Sequence, residues 1–271
     1  AEALNMMLKQ WQANDIGLWT IKEINMPFGY RDGTYSLGTS GDHASETLAV
    51  TELSAAVASA GTALTVDSIT GISDGDYIAI QLNSTTIQWS TVNGTPSGST
   101  VNIDDALSSS ASVDNEVFAY TTKSGRPLEI TECRLVSDAG THTPLTIFDR
   151  YEWMSLSNKD SNGTPSGIYY DPQLDSGILH VWPRPNDLAS YLKMTARMPI
   201  QDFDNSTDAP YWPQEVYRAA KWNLVDEIAM EYTDIPVEKM AFASRKADML
   251  FNEMAAYDFE LKSFQFEVDY D

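Results

Sequence analysis

The sequence predicts an α+β protein in which a helical bundle packs beside an antiparallel β domain, with an inserted small all-β barrel or sandwich domain. Apolar residues recur at helical spacing near both ends of the chain. Short runs of alternating apolar and polar residues, bounded by turn residues, fill the middle. From Thr47 to Tyr120 the composition shifts to Thr, Ser, Val, Ile, Gly and Asp, with almost no Lys or Arg. This shift indicates a separate β segment.

The first predicted element is an amphipathic helix from Ala1 to Ala13. Its apolar face comprises Leu4, Met7, Leu8 and Trp11. Because no capping residue precedes its first turn, we expect further residues upstream of Ala1. The pattern then changes, and β structure is predicted from Trp19 to Gly38. Residues 1–42 are therefore assigned to the N-terminal part of the protein's core.

An inserted β domain is predicted over residues 43–124. Gly, Asp, Asn and Pro separate short period-2 strands within it. Those strands are predicted at Leu64 and Val66; Ile78, Ile80 and Leu82; Ile87 and Trp89; Val101 and Ile103; and Val117 to Tyr120. Their number and spacing are typical of a small barrel or sandwich.

The core is predicted to resume over residues 125–256. Its β region, from Arg126 to Met198, is rich in Tyr and Trp, which supply bulky core and interface side chains. Two helices follow, from Pro213 to Tyr232 and from Pro236 to Ala256, because proline suits the first helical position and apolar residues then recur at helical spacing. These helices complete the predicted bundle.

After Ala256 the period changes from 3.6 to 2, which predicts an extended arm over residues 257–271. Lys262 and Ser263 shift the phase and indicate a bulge. The apolar face of the arm comprises Tyr257, Phe259, Leu261, Phe264, Phe266, Val268 and Tyr270. Two interpretations stay open: the arm packs on its own subunit, or it adds as a strand to a partner.

Bulk charge limits the classes of function. The chain has 17 Lys and Arg against 39 Asp and Glu, a net charge of −22 and a pI near 4.3. Such a surface repels phosphate backbones, so tight DNA binding is not expected, although DNA could slide past it. No apolar run approaches the length of a membrane span. The single cysteine, Cys133, excludes an intrachain disulfide and is interpreted as a core residue.

Motifs of catalysis and metal binding are weak. Gly71 to Gly75 matches the letters of a nucleophile elbow, but a strand is predicted next where that motif needs a helix, so we interpret it as a hairpin turn. His43, His142 and His180 lie in separate segments without zinc-ligand spacing. Neither a GxGxxG nor a Walker A sequence occurs, so no cofactor is expected.

Carboxylates are too numerous for any particular pair to be informative. Thirty-nine of them guarantee that some pair has the spacing of a glycosidase site, which keeps a two-carboxylate hydrolase open. Asp74 to Asp76 and the Asp104-Asp105 pair lack the ligand series of a calcium loop, so we interpret them as solvated turn residues.

Several segments resemble the head-to-tail adaptor family of short-tailed bacteriophages, whose members are also called tail-tubular or head-completion proteins. The similar segments are Ala3 to Gln12 with Leu18 to Thr20; Tyr35 to Gly38 through Gly41-Asp42; Gly125 to Ile130; Asp149 to Trp153; Tyr169 to Pro172; Leu179 to Pro185; and the helical segment from Tyr211 to Tyr232. The resemblance covers Ala1 to Asp42 and Gly125 to about Asp258. His43 to Ser124 departs from it and again marks an insertion.

The resemblance implies a structural virion protein and no enzyme. Family members form a homo-oligomeric ring of about twelve subunits that encloses the DNA channel. The implied partners are the portal protein on one side, the tail nozzle protein on the other, and double-stranded DNA that passes without specific binding; no membrane is involved. Assembly in the host cytoplasm and a final place at the portal vertex follow from the same likeness. The arm residues 257–271 are then expected to contact the portal.

Two other classes of function stay open at this point. One is a virion-associated hydrolase that attacks cell-wall glycan through a carboxylate pair. The other is a sugar-binding β module, with the inserted domain as the receptor-binding part.

Overall fold

The computed structural model describes residues 2–14, 16–203, 205, 207, 209, 212–229, 231–232 and 235–257. The chain divides into two compact units, one formed by Ala1–Ile21 with Pro199–Asp271 and the other by Lys22–Met198. The helices among the described residues are α1 (Glu2–Ala13), α2 (Arg150–Ser155), α3 (Tyr217–Ala229) and α4 (Val237–Tyr257).

Strands dominate the second unit. They are β1 (Ile21–Pro27), β2 (Thr34–Leu37), β3 (Ala49–Glu52), β4 (Ala63–Thr65), β5 (Tyr77–Gln81), β6 (Ile87–Thr91), β7 (Thr100–Asn102), β8 (Glu116–Tyr120), β9 (Glu129–Val136), β10 (His142–Pro144), β11 (Thr146–Ile147), β12 (Asn162–Gly163), β13 (Gly167–Asp171), β14 (Gly177–Trp182), β15 (Arg184–Pro185) and β16 (Tyr191–Arg197).

The predicted fold class is wrong. The protein is mostly β, with several separate sheets, and is not a helical bundle packed beside one antiparallel β domain. The periodicity at the chain ends identified real helices, but the many short strands between them hold more of the chain. The pairing is also not purely antiparallel, because β11 with β13 and β12 with β15 are parallel.

The helical unit has one apolar core. Met7, Leu8 and Trp11 of α1 are buried in it, as their spacing predicts. From α3 and α4 it receives Ala219, Ala220, Leu250 and Met254. The helix predicted from Pro213 begins as a 3-10 turn at Gln214–Val216 and continues as α3.

Two four-stranded sheets join the segments that flank residues 43–124. One has the order β1-β16-β9-β10 and the other β11-β13-β14-β2. The strands β1 and β2 precede residue 43, whereas their neighbours β16 and β14 follow residue 124. The two sheets share one apolar core, and Cys133 is buried in it, as predicted.

Strands of the inserted segment pair with one another, in the orders β3-β8-β5-β6 and β4-β7. A second apolar core lies among them and is formed by residues between Ala49 and Ala119. The two ends of the segment meet, because the backbone N–H of Ser124 donates to the carbonyl oxygen of Ala44 at 2.7 Å. The strand order thus agrees with an insertion, whose boundaries at 43 and 124 stay a prediction.

Candidate functional site

Most of the predicted arm lies outside the described residues. Phe259, Leu261, Phe264, Phe266, Val268 and Tyr270 belong to that part of the chain. Tyr257, predicted as the first residue of the arm, is the last residue of α4. The search for a site therefore turns to the described β unit, which carries three arrangements of functional side chains.

The first arrangement is an aromatic cluster around His43, where the inserted segment begins. The His43 imidazole stacks on the Trp89 indole with ring centroids 3.5 Å apart and planes 6° apart. Its Nδ1 atom lies 2.6 Å from the hydroxyl oxygen of Tyr120. Tyr77 meets both His43 and Tyr120 through ring contacts. Side chains of β5, β6 and the end of β8 therefore contact His43, the first residue of the inserted segment.

Burial makes His43 a weak base. Desolvation, with the nearby Lys123 ammonium as a smaller cause, lowers the pKa of His43 to about 4. Burial also raises the pKa of Tyr120 above its usual value. At neutral pH both groups are uncharged, so they share a neutral hydrogen bond inside the cluster.

A cavity of about 330 Å³ opens beside this cluster. The residues that line it come from two stretches of the chain, 26–43 and 85–89. Tyr30 and Trp89 bring aromatic surface to it, and Asp32 and Asp42 bring carboxylates. A few polar groups against aromatic walls suit a small polar ligand, and the volume lies near the lower end for such sites, about 300–1,000 Å³.

The second arrangement is an aromatic stack below α2. Trp153 lies nearly parallel to the His180 imidazole, with centroids 5.0 Å apart, and to the Tyr169 ring at 5.8 Å. A capping box holds the helix, since Asp149 accepts from the backbone N–H of Glu152 and the Glu152 carboxylate accepts from that of Asp149.

The outer face of α2 is apolar and open. Tyr151 is 81% exposed and Met154 is 68% exposed, whereas Trp153 of the same helix is buried. Large apolar side chains held out on a fixed helix are typical of a contact surface. We name Tyr151 and Met154 the α2 surface.

The third arrangement is a cluster of carboxylates that could hold a metal ion. One carboxylate oxygen from each of Glu52, Glu116 and Asp138 lies within 4.8 Å of the other two. Glu116 is only 3% exposed, and burial, followed by the charges of Asp138 and Glu52, raises its pKa to about 8. No sequence spacing pointed to this cluster. The one available signal was a glutamate at the start of the otherwise apolar strand β8.

The residues weighed as catalytic or zinc-binding candidates lie apart. His43 is in the aromatic cluster, His180 is under α2, and His142 lines a polar cleft with Lys193. The segment from Gly71 to Gly75 is a turn, and the strand β5 follows it as predicted.

Comparisons with known proteins do not identify a family for this chain. No family model matches the sequence, and no curated protein is significantly similar to it. Among solved structures, the chain has a weak similarity to VP17, a capsid protein of bacteriophage P23-77, with 13% identity and a TM-score of 0.15 over 65% of this chain and 80% of that chain. A TM-score this low does not indicate a shared fold. Among the described helices, none has the length and apolar character needed to cross a membrane.

Proposed function

We propose that this chain is a non-enzymatic structural protein of a bacteriophage virion, a head-to-tail adaptor. In this proposal it assembles as a ring between the portal and the tail nozzle and lines the channel through which DNA passes. The arm, residues 257–271, binds the portal. The acidic balance of the chain suits a conduit, because DNA meets no deep electrostatic well there.

The observation that carries this proposal is the convergence of the segments that resemble the adaptor family. Tyr35 in β2 lies opposite Leu179 in β14, although 143 intervening positions, including the whole inserted segment, separate them in sequence. Trp153 stacks on His180, and the Tyr170 hydroxyl donates to the carbonyl oxygen of Pro127 at 2.5 Å. Segments recognised separately in the sequence thus form one packed body, as expected if the resemblance reflects a common core.

Exposed apolar side chains add support, because a subunit that closes a ring needs surfaces for its neighbours. The β unit presents the α2 surface. The helical unit exposes Phe242 at 61% and Met249 at 42%, one heptad apart on α4. Both units therefore carry apolar area that a lone subunit would leave in water.

Mixing the purified chain with the portal protein of its own phage tests the proposal. Sedimentation velocity and electron microscopy of the mixture should show one large particle with a fixed ratio of the two proteins. In parallel, the chain is incubated with purified peptidoglycan, and no release of reducing sugar ends is expected. A chain that sediments separately from the portal, or that degrades the glycan, would contradict the adaptor proposal.

The cavity beside His43 favours a second candidate function, the binding of a sugar at the cell surface. Aromatic rings and carboxylates that line one cavity are groups that can hold a sugar ring. Isothermal titration with host surface glycan separates the two functions. Saturable binding that is lost in Trp89→Ala and kept in Trp153→Phe would favour the sugar site.

A further inference from the structure

We propose that Glu52, Glu116 and Asp138 form a binding site for a divalent cation, Ca²⁺, that fastens the inserted segment to the β9–β10 turn. Glu52 ends β3 and Glu116 begins β8, both within residues 43–124, whereas Asp138 lies in the turn between β9 and β10. A single ion bound by all three would therefore join two parts of the β unit that are far apart in sequence. The site is independent of the adaptor proposal.

The backbone register forces two of these carboxylates together. In the antiparallel pair of β3 and β8, Glu52 lies directly opposite Glu116. Like charges at directly opposed positions destabilise a sheet. Asp138 approaches the same point, close enough to interact with both glutamates. Either a bound cation or a proton held within the cluster would relieve this repulsion.

A buried, unpartnered atom marks the centre of the site. Glu116 is 3% exposed, and its Oε2 atom has no hydrogen-bond partner. Leaving a buried carboxylate oxygen without a partner carries a large desolvation penalty. A bound cation would remove this penalty, because it supplies the contact that Oε2 lacks.

The surroundings add negative charge. Asp67 and Asp114 act on Glu52, and Asp187 acts on Glu116. The charged groups that raise the pKa values of the two glutamates are thus all carboxylates. This field attracts a cation and holds it near the cluster.

The ligand chemistry favours a hard cation such as Ca²⁺. All three ligands are carboxylates, and hard oxygen donors favour Ca²⁺ or Mg²⁺ over softer metals. Two oxygens bound to one Ca²⁺ can lie up to about 5 Å apart, twice the usual Ca–O distance of about 2.3–2.6 Å, which accommodates the 4.8 Å limit of this cluster. Asp138 is exposed, so water can complete the seven or so ligands that Ca²⁺ takes.

A proton shared between Glu116 and Asp138 is the competing explanation for the cluster. It would relieve the repulsion without any metal. The two explanations differ in their response to Ca²⁺ and to substitution, since glutamine at position 116 keeps a hydrogen-bond donor toward Asp138 but loses the negative charge.

The test uses the full chain, stripped with EDTA and titrated with CaCl₂ by isothermal calorimetry and by thermal unfolding. We expect saturable binding of one ion and a higher unfolding midpoint. Glu116→Gln should lower Ca²⁺ affinity by about tenfold or more, as expected when a ligand charge is removed. Asp138→Asn, at an exposed turn position where folding is not at risk, should do the same, and Glu129→Gln on β9 is the control that should bind Ca²⁺ normally.

Two results would overturn the proposal. One is the absence of any Ca²⁺ response in the unmodified chain; full stability of Glu116→Gln in EDTA would then point to a shared proton as the explanation. The other is Ca²⁺ binding that is unchanged in Asp138→Asn. Equal stabilisation by MgCl₂ at the same concentration would overturn the assignment to Ca²⁺.

Discussion

His43 lies among the rings of Tyr77, Trp89 and Tyr120 with Lys123 nearby, and these surroundings make the inserted segment sensitive to acid. Its pKa is about 4 in the folded protein against 6.5 when exposed, so between these values the unfolded chain binds the proton more strongly. The free energy of unfolding should therefore fall as pH drops from about 6.5 to about 4. His43→Gln should reduce this fall.

Urea unfolding at several pH values measures the effect, with the difference between unmodified chain and variant as the readout. This difference removes the contribution of the many carboxylates that titrate in the same range. His142→Gln, a substitution at an exposed histidine, is the matched control and should leave the pH profile unchanged. Identical profiles for His43→Gln and the unmodified chain would contradict the prediction.

Gly41 occupies a position with no room for a side chain. A β-carbon there would overlap the carbonyl group of Ser36, whose oxygen already accepts from the backbone N–H of Asp42 at 2.7 Å. Because the obstacle is backbone, it cannot rotate away. Gly41→Ala should lower the free energy of unfolding by about 1–3 kcal/mol, measured by urea denaturation.

Gly125→Ala is the control for this substitution. Its β-carbon would meet the terminal methyl carbon of Met198 at 3.5 Å, an ordinary contact. We expect a change within about 0.5 kcal/mol there. Equal effects at the two glycines would show that the packing at Gly41 is not the cause.

At the scale of elements, the inserted segment should be removable. Ala44 is the one residue of the segment among the buried residues that form the core of the flanking sheets. The two ends of the segment meet at the hydrogen bond between Ser124 and Ala44. Replacing residues 43–124 with a short linker should leave a protein that unfolds cooperatively and still binds the portal. The free energy of unfolding should also fall less steeply with urea concentration, because the shorter chain exposes less surface on unfolding.

Circular dichroism during urea unfolding checks this prediction, and co-sedimentation with the portal checks binding. Removal also uncovers the ring of Tyr191, which Phe118 contacts in the intact protein. Loss of the cooperative transition would mean that residues 43–124 are part of the core.

Truncation after Tyr257 tests the arm without shortening α4. The truncated chain should keep its helical signal and unfolding midpoint but bind the portal at least about tenfold more weakly, since one fully buried apolar side chain is worth about 1.5–3 kcal/mol and the arm carries six beyond Tyr257. The matched control replaces the acids Glu260, Glu267 and Asp269 with their amides, which lie on the opposite face of the predicted strand. Unchanged portal affinity, or an unfolded product, would show that the arm has another role.

Elements with strong local patterns were predictable from the sequence. The alternation of Ile78, Ile80 and Leu82 predicts β5, and the spacing of Met7, Leu8 and Trp11 predicts α1. The parallel pairing of β11 with β13 was not predictable, because the two residues Thr146 and Ile147 are too few to show a period. The prediction of the fold class was wrong for a similar reason, because many short strands leave a weaker pattern in the sequence than three long helices do.

At the scale of the whole molecule, net charge gives a further prediction. With 39 acids against 17 Lys and Arg, the chain assembled on its portal should not retain double-stranded DNA at physiological salt. Fluorescence anisotropy of a labelled duplex at increasing salt measures this. Tight binding that weakens steeply with salt would contradict the prediction that the assembled chain does not retain DNA.

The carboxylate cluster lies beyond what sequence patterns can reveal. Glu52, Glu116 and Asp138 come from three segments, and only the pairing of β3 with β8 and the position of the β9–β10 turn unite them. Among so many acids, no spacing marks these three. Patterns within a segment are visible in a sequence, whereas sites assembled between segments depend on the fold.

The hydrogen bond between Ala44 and Ser124 bears on how the sequence of this protein can change in evolution. The chain leaves the flanking part of the β unit and returns to it at neighbouring positions. We therefore expect that the predicted insertion, residues 43–124, can change in length or sequence without moving the flanking strands apart.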